Sequence, residues 1–138
     1  MATVGLLDTS TLILLAQIED PTTLPDEPTI STITLAELSV GPLVATSEEE
    51  RVARQAHLQL AESDFDPIPF DAEAARAFAI VASALRAAGR KPAARAYDAL
   101  IAAIAISRGL ALYTCNPADF TGIPNLDLRP VTVVMPSL

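Results

Sequence analysis

The sequence predicts an α/β fold: a three-layer α/β/α sandwich in which a mostly parallel central sheet is covered by helices on both faces. Strand and helix signals alternate along the 138 residues, and such alternation is typical of parallel strands joined by helical crossovers. The composition is 51% hydrophobic but only 4% aromatic, so the core must consist of Ala, Leu, Ile and Val. This length predicts a single domain, residues 1–138.

Capping and stop residues place the boundaries of the predicted helices. Ser47 followed by Glu50 forms a capping box at the start of one helix. Asp71 is expected to cap a long helix that stops at Gly89, and a later apolar helix stops at Gly109. The predicted elements are strands at 3–8, 28–32, 66–69, 111–114 and 128–133, and helices at 11–18, 33–44 (disturbed by Gly41-Pro42), 47–63, 71–88, 93–108 and 116–120.

Four acidic residues lie on or beside apolar segments of this pattern. A carboxylate costs several kcal/mol to bury without a partner, and ligands of parallel sheets bind beyond the carboxyl ends of the strands. We therefore expect the four to converge at one edge of the sheet and to bind a divalent metal, despite separations of 29, 61 and 21 positions. They are Asp8, Glu37, Asp98 and Asp119.

The first two acids also have structural interpretations. Asp8 could cap the first helix, which Thr9 and Ser10 are expected to begin. Glu37 stands three residues after Thr34, and this spacing is that of a capping box. Either interpretation explains its residue without a metal.

The other two acids differ in how readily structure explains them. Asn116 could cap a short helix whose dipole Asp119 complements. Asp98 is harder to explain, because it is the only charged residue between Arg95 and Arg108 in a helix that is apolar nearly all round. Pairing with Arg95 in water would contribute little. Asp98 therefore favours a functional site most strongly.

The distribution of charge restricts the partners. A net charge of −8 argues against indiscriminate binding of nucleic acid. Four of the nine basic residues nevertheless lie within ten positions, directly before Asp98. They form either a solvated helix end and loop or a surface that contacts phosphates. This basic group consists of Arg86, Arg90, Lys91 and Arg95.

Other chemistries lack the residues that they need. His57 is the only histidine and offers no Ser-His-Asp triad, and there is no Cys/His cluster for zinc or glycine-rich phosphate loop. A single cysteine, Cys115, predicts a reducing, cytoplasmic compartment. The N-terminus lacks signal-peptide features, and the apolar run at 12–16 is too short to span a membrane.

At these residues the chain resembles the PIN-domain family, specifically the VapC-type ribonuclease toxins of prokaryotic toxin–antitoxin systems. The stretch from Phe70 to Gly89 resembles the family's long helix, and the resemblance covers almost the whole chain. It implies a PIN-domain-like fold. The motifs that carry it are L-L-D-T-S-T-L-I, I-S-T-I-T-L-A-E-L, Y-D-A-L-I-A-A-I-A and L-Y-T-C-N-P-A-D-F.

The resemblance also implies roles for individual residues. Either Asp119 or Asn116 would be the fourth metal-site residue, with Asp119 preferred and Asn116 as polar support. Thr9 and Thr114 would supply hydroxyls to the acids. Cys115 stands where the family often has an arginine, which removes one phosphate contact. The acids carried over directly as catalytic and metal-site residues are Asp8, Glu37 and Asp98.

Oxygen ligands without sulfur or imidazole favour Mg²⁺ or Mn²⁺. A water activated by this metal would attack the phosphodiester of RNA, and the resemblance implies a product with a 5′-phosphate. It also implies a VapB-type antitoxin in a groove near the site and a homodimer or a complex with the antitoxin. The dimer contact is expected through helices around 78–106. The groove residues would be Leu12, Ile13, Leu15, Leu38 and Leu43.

Three alternatives stay open at this point. The chain could be a PIN nuclease without a toxin role, or a catalytically inert PIN-fold binding module. A phosphohydrolase that forms an aspartyl phosphate at Asp8 is the weakest, because the D-x-D pattern is missing.

Overall fold

A computed structural model describes residues 2–90 and 96–134 of the chain. Its four strands form one sheet in which every neighbouring pair is parallel, in the order β2-β1-β3-β4. The first strand is therefore internal, between the second and the third. The predicted parallel sheet is confirmed. The strands are β1 (Val4–Leu7), β2 (Glu27–Thr29), β3 (Ala111–Thr114) and β4 (Leu128–Pro130).

Helices connect the strands in the way that parallel pairing requires. The connections also contain short 3₁₀ helices, at Leu15–Gln17, Pro21–Thr23, Gly41–Val44 and Pro117–Phe120. None of the helices in the described ranges has the length and hydropathy that crossing a bilayer demands. The α-helices are α1 (Thr9–Ile13), α2 (Thr32–Val40), α3 (Glu48–Asp64), α4 (Ala72–Ala87) and α5 (Ala96–Arg108).

The two faces of the sheet carry separate hydrophobic clusters, because successive residues of a strand point to opposite faces. Leu6 and Leu112 belong to the cluster that contains α4 and α5, whereas Leu7 and Tyr113 belong to the cluster that contains α1, α2 and α3. The sheet is thus the middle of three layers, as predicted. Gly5 is required in β1, since a Cβ there would lie 2.3 Å from the Tyr113 ring.

Three predicted elements differ from the structure. Residues 66–69 do not form a strand, because only Ile68 pairs, in a single parallel bridge to Ser31. The last strand ends at Pro130 rather than near residue 133, since the chain then turns to an antiparallel bridge between Val133 and Ile18. The first α-helix covers Thr9–Ile13 rather than 11–18, and a 3₁₀ helix follows it.

Two helix starts and one helix end lie where the sequence predicts them. The side chains of Ser47 and Asp71 accept hydrogen bonds from Glu50 N and Ala74 N. The capping box is incomplete, because the Glu50 carboxylate accepts from Thr46 instead of Ser47. The predicted disturbance at Gly41-Pro42 is the change from α2 to a 3₁₀ helix, as expected where proline supplies no N–H.

Candidate functional site

The buried polar side chains of the described residues collect at the carboxyl edge of the sheet. Each one follows a strand, ends a strand or lies in the first turn of the next helix. Because the carboxyl ends of parallel strands meet at one edge, these side chains form one polar region. They are Asp8, Thr11, Ser31, Thr34 and Thr114.

Asp8 is the most deeply placed of the four candidate acids, with 4% of its surface exposed. It caps α1, and its Oδ1 accepts from Thr11 N at 3.1 Å and from the Thr11 hydroxyl. Thr114 donates to Oδ2 at 2.7 Å from the end of β3. The Ser10 hydroxyl lies 3.4 Å from both carboxylate oxygens, so three hydroxyls and one backbone N–H fix the position of Asp8.

Glu37 is half-buried in α2, and its carboxylate contacts Thr9, the residue after Asp8. The Thr9 hydroxyl donates to its Oε1 at 2.7 Å and lies 3.0 Å from the Thr34 hydroxyl. Burial raises the pKa of Glu37, the Thr9 hydrogen bond opposes this, and the negative charge of Asp8 raises it further. The Asp8 and Glu37 carboxylates are therefore close enough to repel each other, which a dication would relieve.

The capping interpretation of Glu37 is wrong. The helix begins earlier than that interpretation needs, because Ser31 is the N-cap and its hydroxyl accepts from Thr34 N at 3.2 Å. Glu37 thus lies in the second turn, where no backbone N–H requires its side chain. The capping interpretation of Asp8 is confirmed, and the same carboxylate also faces the site.

Asp98 lies at the N-terminal end of α5. Asp98 lies in the first turn and is half-buried. α5 packs against α2, and Tyr97 lines a cavity together with Glu37. This position at a helix N-terminus favours an anion.

The turn after β3 carries Asn116 and Asp119. Asn116 N donates to the Thr114 hydroxyl at 2.9 Å, and its side-chain amide donates to Ser10 at 3.1 Å. Asn116 therefore supports the residues around Asp8 and makes no side-chain cap. Asp119 is half-buried in the 3₁₀ helix Pro117–Phe120, where its own N–H bonds to Asn116 O.

The arrangement of acids is only partly assembled. Among residues 2–90 and 96–134, no three carboxylate, imidazole or thiol groups stand together as a ready-made metal cluster. The negative charge of Asp8 contributes to the raised pKa of Glu37, whereas the approach of Asp98 and Asp119 to a shared ion stays a prediction. Oxygen atoms make up the donor set, and such a set fits a hard cation.

Sequence reasoning missed one hydroxyl in this region, that of Thr11. Thr11 is wholly buried, bonds to Asp8 and accepts from Cys115 N at 3.0 Å. Its position three residues after a capping Asp was the available signal. Thr9 and Thr114, which the resemblance assigned to the acids, do donate to Glu37 and Asp8.

Cys115 follows β3 and is half-buried. Burial raises the pKa of the Cys115 thiol, the Thr11 hydrogen bond opposes this, and the charge of Asp8 raises it further. The thiol therefore stays protonated near neutral pH.

The basic group lies only partly within the described residues. Arg86 is exposed at the end of α4, and Arg90 follows it. Lys91 and Arg95 lie outside the described residues, so the basic group stays a prediction.

Three comparisons place the chain among known proteins. The PIN domain family model matches residues 6–124. Ribonuclease VapC5 of Mycobacterium tuberculosis is 38% identical over 86% of this chain and 87% of its own, and Ribonuclease VapC4 of the same organism is 34% identical over 72% and 73%.

A solved structure is similar to this chain in its fold. VapBC-5 of Mycobacterium tuberculosis, a member of the VapBC family of toxin–antitoxin systems, includes a chain that superposes with a TM-score of 0.81 and 36% identity. The match covers 94% of this chain and 99% of that one. Family and fold were thus both predicted correctly: the chain belongs to the PIN-domain family, among the VapC-type proteins.

Proposed function

We propose that the chain is a Mg²⁺- or Mn²⁺-dependent endoribonuclease and the toxin of a type II toxin–antitoxin system. Membership of the VapC-type proteins supports the reaction class, since the related proteins are named ribonucleases. The observation that carries the proposal is the presence of two acids at the carboxyl edge of the sheet: buried Asp8, and Glu37, which accepts from the Thr9 hydroxyl next to Asp8 in the chain.

The metal would be held by oxygen ligands from four separate elements. Asp8 and Glu37 would be the first two ligands, and Asp98 at the start of α5 with Asp119 in the turn after β3 would complete the set. When bound, the dication supplies charge that polarises the scissile phosphate and acidifies a water molecule. No sulfur or imidazole ligand is needed, which favours Mg²⁺ or Mn²⁺ over zinc.

The protein's own groups prepare this reaction. Thr11 and Thr114 fix both oxygens of Asp8, so the carboxylate needs little reorganisation when it binds a cation. A carboxylate of the site would orient the attacking water or take its proton, and Glu37, held by the Thr9 hydroxyl, is the candidate on geometry. Thr9 orients the carboxylate for that step.

The hydrolysis needs no 2′-hydroxyl. The water oxygen forms a bond to phosphorus, its proton passes to the base, and the bond from phosphorus to the 3′-oxygen breaks. The 3′-oxygen takes up a proton, and the phosphate stays on the 5′-oxygen of the other fragment. The expected products are therefore a 3′-hydroxyl and a 5′-phosphate.

The partner would be a VapB-type antitoxin. The related solved structure belongs to a toxin–antitoxin family, and this chain exposes large apolar side chains around the end of α2. Leu43 is 85% exposed and Val44 60% exposed, and exposed apolar patches of this kind mark protein contacts. A second copy of the chain would pack on α4, where Ile80 is exposed beside Ala79 and Ala84.

RNA cleavage by Asp98→Asn tests the proposal. We expect at least about a 100-fold loss of cleavage, because one ligand of the proposed metal site is weakened, with the circular dichroism spectrum unchanged. Glu62→Gln removes one exposed carboxylate from α3 and should cleave like the wild type. Full cleavage by Asp98→Asn would exclude this site.

Metal titration separates the enzyme from an inert binding module. The wild type should bind Mn²⁺, and Asp98→Asn should bind it much more weakly. A chain that binds no Mn²⁺ would be a module that keeps only the fold. A gene for a small antitoxin beside this one would separate a toxin from a nuclease with another role.

A further inference from the structure

Two cavities lie on either side of Glu37 and share it as a wall. One measures about 250 Å³ and lies between α1, α2 and α3. The other measures about 270 Å³ and lies between α2 and the start of α5. Both are smaller than the roughly 300–1,000 Å³ of pockets that take drug-sized ligands, so each suits a single ring system.

The first cavity, here called the His57 cavity, combines apolar and planar polar walls. Ile13 and Leu38 form its apolar side. His57, which is half-buried, and Arg54 provide the planar groups. The proposed reaction uses neither of these two side chains.

Arg54 is held in place within the His57 cavity. Its Nη1 donates to Gly41 O at 3.0 Å, and its other terminal nitrogen pairs with Glu50. Gly41 permits this close approach, since a Cβ at that position would lie 3.3 Å from Arg54 Cδ. The guanidinium plane is therefore fixed, and its charge is largely offset by Glu50.

The second cavity, here called the Tyr97 cavity, contains an aromatic ring in contact with water. Ala36, Val40 and Glu37 form the rest of its wall. Tyr97 is 59% exposed. The chain's other five aromatic residues also lie in the described ranges, and each is buried or half-buried. An exposed ring directly before Asp98 thus offers a stacking surface that the rest of the protein lacks.

We propose that the two cavities are subsites for the bases on either side of the phosphate to be cleaved. One base would stack on Tyr97, and the other would enter the His57 cavity with its edge toward Arg54 and His57. This proposal rests on the proposed ribonuclease function. It adds the residues that would read single-stranded RNA next to the acids.

The chemistry of the walls favours bases over other occupants. Glu37 lies in both cavities, so an additional anion such as a phosphate would be repelled there. A base is uncharged, has an apolar face and presents donors and acceptors at its edge. Proteins that recognise single-stranded RNA commonly stack such bases on tyrosine, histidine or arginine planes.

Cleavage of a randomised 20-nucleotide single-stranded RNA pool tests the subsites. Sequencing of the products gives the base preference at each position around the cut. We expect Tyr97→Ala to lower kcat/KM by roughly 5- to 150-fold, as expected for loss of one stacked base, and to flatten the preference on one side. His57→Ala should flatten it on the other side, and Tyr97→Phe should restore the wild-type profile.

Matched variants and a binding assay make the outcome decisive. Val52→Ala removes an exposed apolar side chain from α3 that lines neither cavity, and Gln59→Ala removes an exposed polar one. Both should leave the profile unchanged. Unchanged kcat/KM and base preference in Tyr97→Ala and His57→Ala would overturn the proposal, and would leave contact with a protein partner as the use of these cavities.

Binding of the same pool to the wild type and to Asp8→Asn distinguishes the two proposals. A wild type that binds the pool in a Tyr97-dependent way but never cleaves it would keep the subsites and end the ribonuclease proposal. A wild type that neither binds nor cleaves the pool would end both. Cleavage that requires Asp8 but ignores Tyr97 and His57 would keep the ribonuclease and end the subsites.

Discussion

The carboxyl edge of the sheet buries polar side chains, whereas the layer formed by α4 and α5 buries apolar ones. At the edge, Asp8 and four hydroxyl residues are buried with hydrogen bonds between elements. In α5, residues 101–105 are wholly buried and entirely apolar. Apolar burial stabilises the folded state directly, whereas buried polar groups at best recover what their desolvation costs.

The residues that stabilise the fold are therefore different from the residues that are proposed to bind the metal. The α5 layer can hold the sheet without any contribution from the acids. The edge can then keep carboxylates in unfavourable surroundings, as the raised pKa of Glu37 records. Changes in the two regions should therefore affect different measurements.

Ile101→Ala should have the largest effect on stability. Ile101 is wholly buried in the cluster that contains Leu6 and Leu112, and truncation of such a residue costs about 2–5 kcal/mol. Urea unfolding followed by circular dichroism measures the loss. RNA cleavage per folded molecule should not change, since Ile101 lies in the apolar layer.

Val52→Ala is the control for this variant. The side chain is on α3 and is 55% exposed, so its truncation should change the free energy of unfolding by no more than about 0.5 kcal/mol. If Ile101→Ala lowered cleavage per folded molecule as strongly as stability, the two regions would not be separable.

Thr114→Val changes the carboxyl edge instead of the apolar layer, so we expect its effect on metal binding. The variant loses the hydroxyl that donates to Asp8 and accepts from Asn116 N, while the shape of the side chain is kept. Loss of a group that orients a metal ligand typically weakens metal affinity 10- to 100-fold. Isothermal titration with Mn²⁺ measures this affinity, and Thr114→Ser should restore it.

An exposed hydroxyl provides the matched control for Thr114. The Thr22 hydroxyl donates to Asp20 at 2.6 Å on the surface, away from the edge. Thr22→Val should leave Mn²⁺ affinity as it is in the wild type. Equal affinities in all these variants would mean that Asp8 is not a ligand or does not need Thr114.

Local patterns made part of this edge predictable. Asp8, Thr9 and Thr114 each adjoin a short strand of apolar residues, so the sequence itself places them at a strand end. The α5 interior was predictable for a similar reason, because its run of Ala and Ile has no polar face. These signals lie within one element and need no knowledge of its neighbours.

Features that depend on distant partners were not predictable. The bridge between Ile68 and Ser31 involves residues 37 positions apart, and it replaced a predicted strand. The start of α2 was misplaced because Ser31 and Thr34 both suit a cap, and only the fold selects Ser31. The exposure of Tyr97 could not be inferred either, since the helix that contains it is apolar nearly all round.

Glu37→Gln should reveal the electrostatic cost at the edge through its pH dependence. Below the ordinary glutamate pKa of 4.5, Glu37 is protonated whether the chain is folded or not. As pH rises past that value, the unfolded chain loses the proton first, so the free energy of unfolding of the wild type falls. The variant escapes this loss and should gain relative stability up to the raised pKa, beyond which the difference is constant.

The measurement is a set of urea unfolding curves between pH 3 and pH 8 with EDTA present (about five pH values suffice to define the trend). Glu50→Gln should show the opposite sign, because hydrogen bonds from Thr46 lower the pKa of Glu50. A pH-independent difference between Glu37→Gln and the wild type would show that burial at the edge carries no electrostatic cost.

Neutralising Arg86, Arg90 and Arg95 together should have the smallest effect, and only on the binding of RNA. Each phosphate contact adds about 0.7 to the slope of log affinity against log salt for a single strand. The triple glutamine variant should therefore bind more weakly at low salt and show a shallower slope. Fluorescence anisotropy with the RNA pool measures both.

The control must remove equal charge from elsewhere. Arg51, Arg76 and Arg129 are exposed and each pairs with a nearby acid on its own segment, so their replacement changes the net charge by the same amount. If this control reduced the slope as much as the first variant, the effect would come from the net charge of the chain. A larger change in the first variant would instead indicate that the basic group contacts phosphates, which would offset the repulsion that the acids exert on RNA.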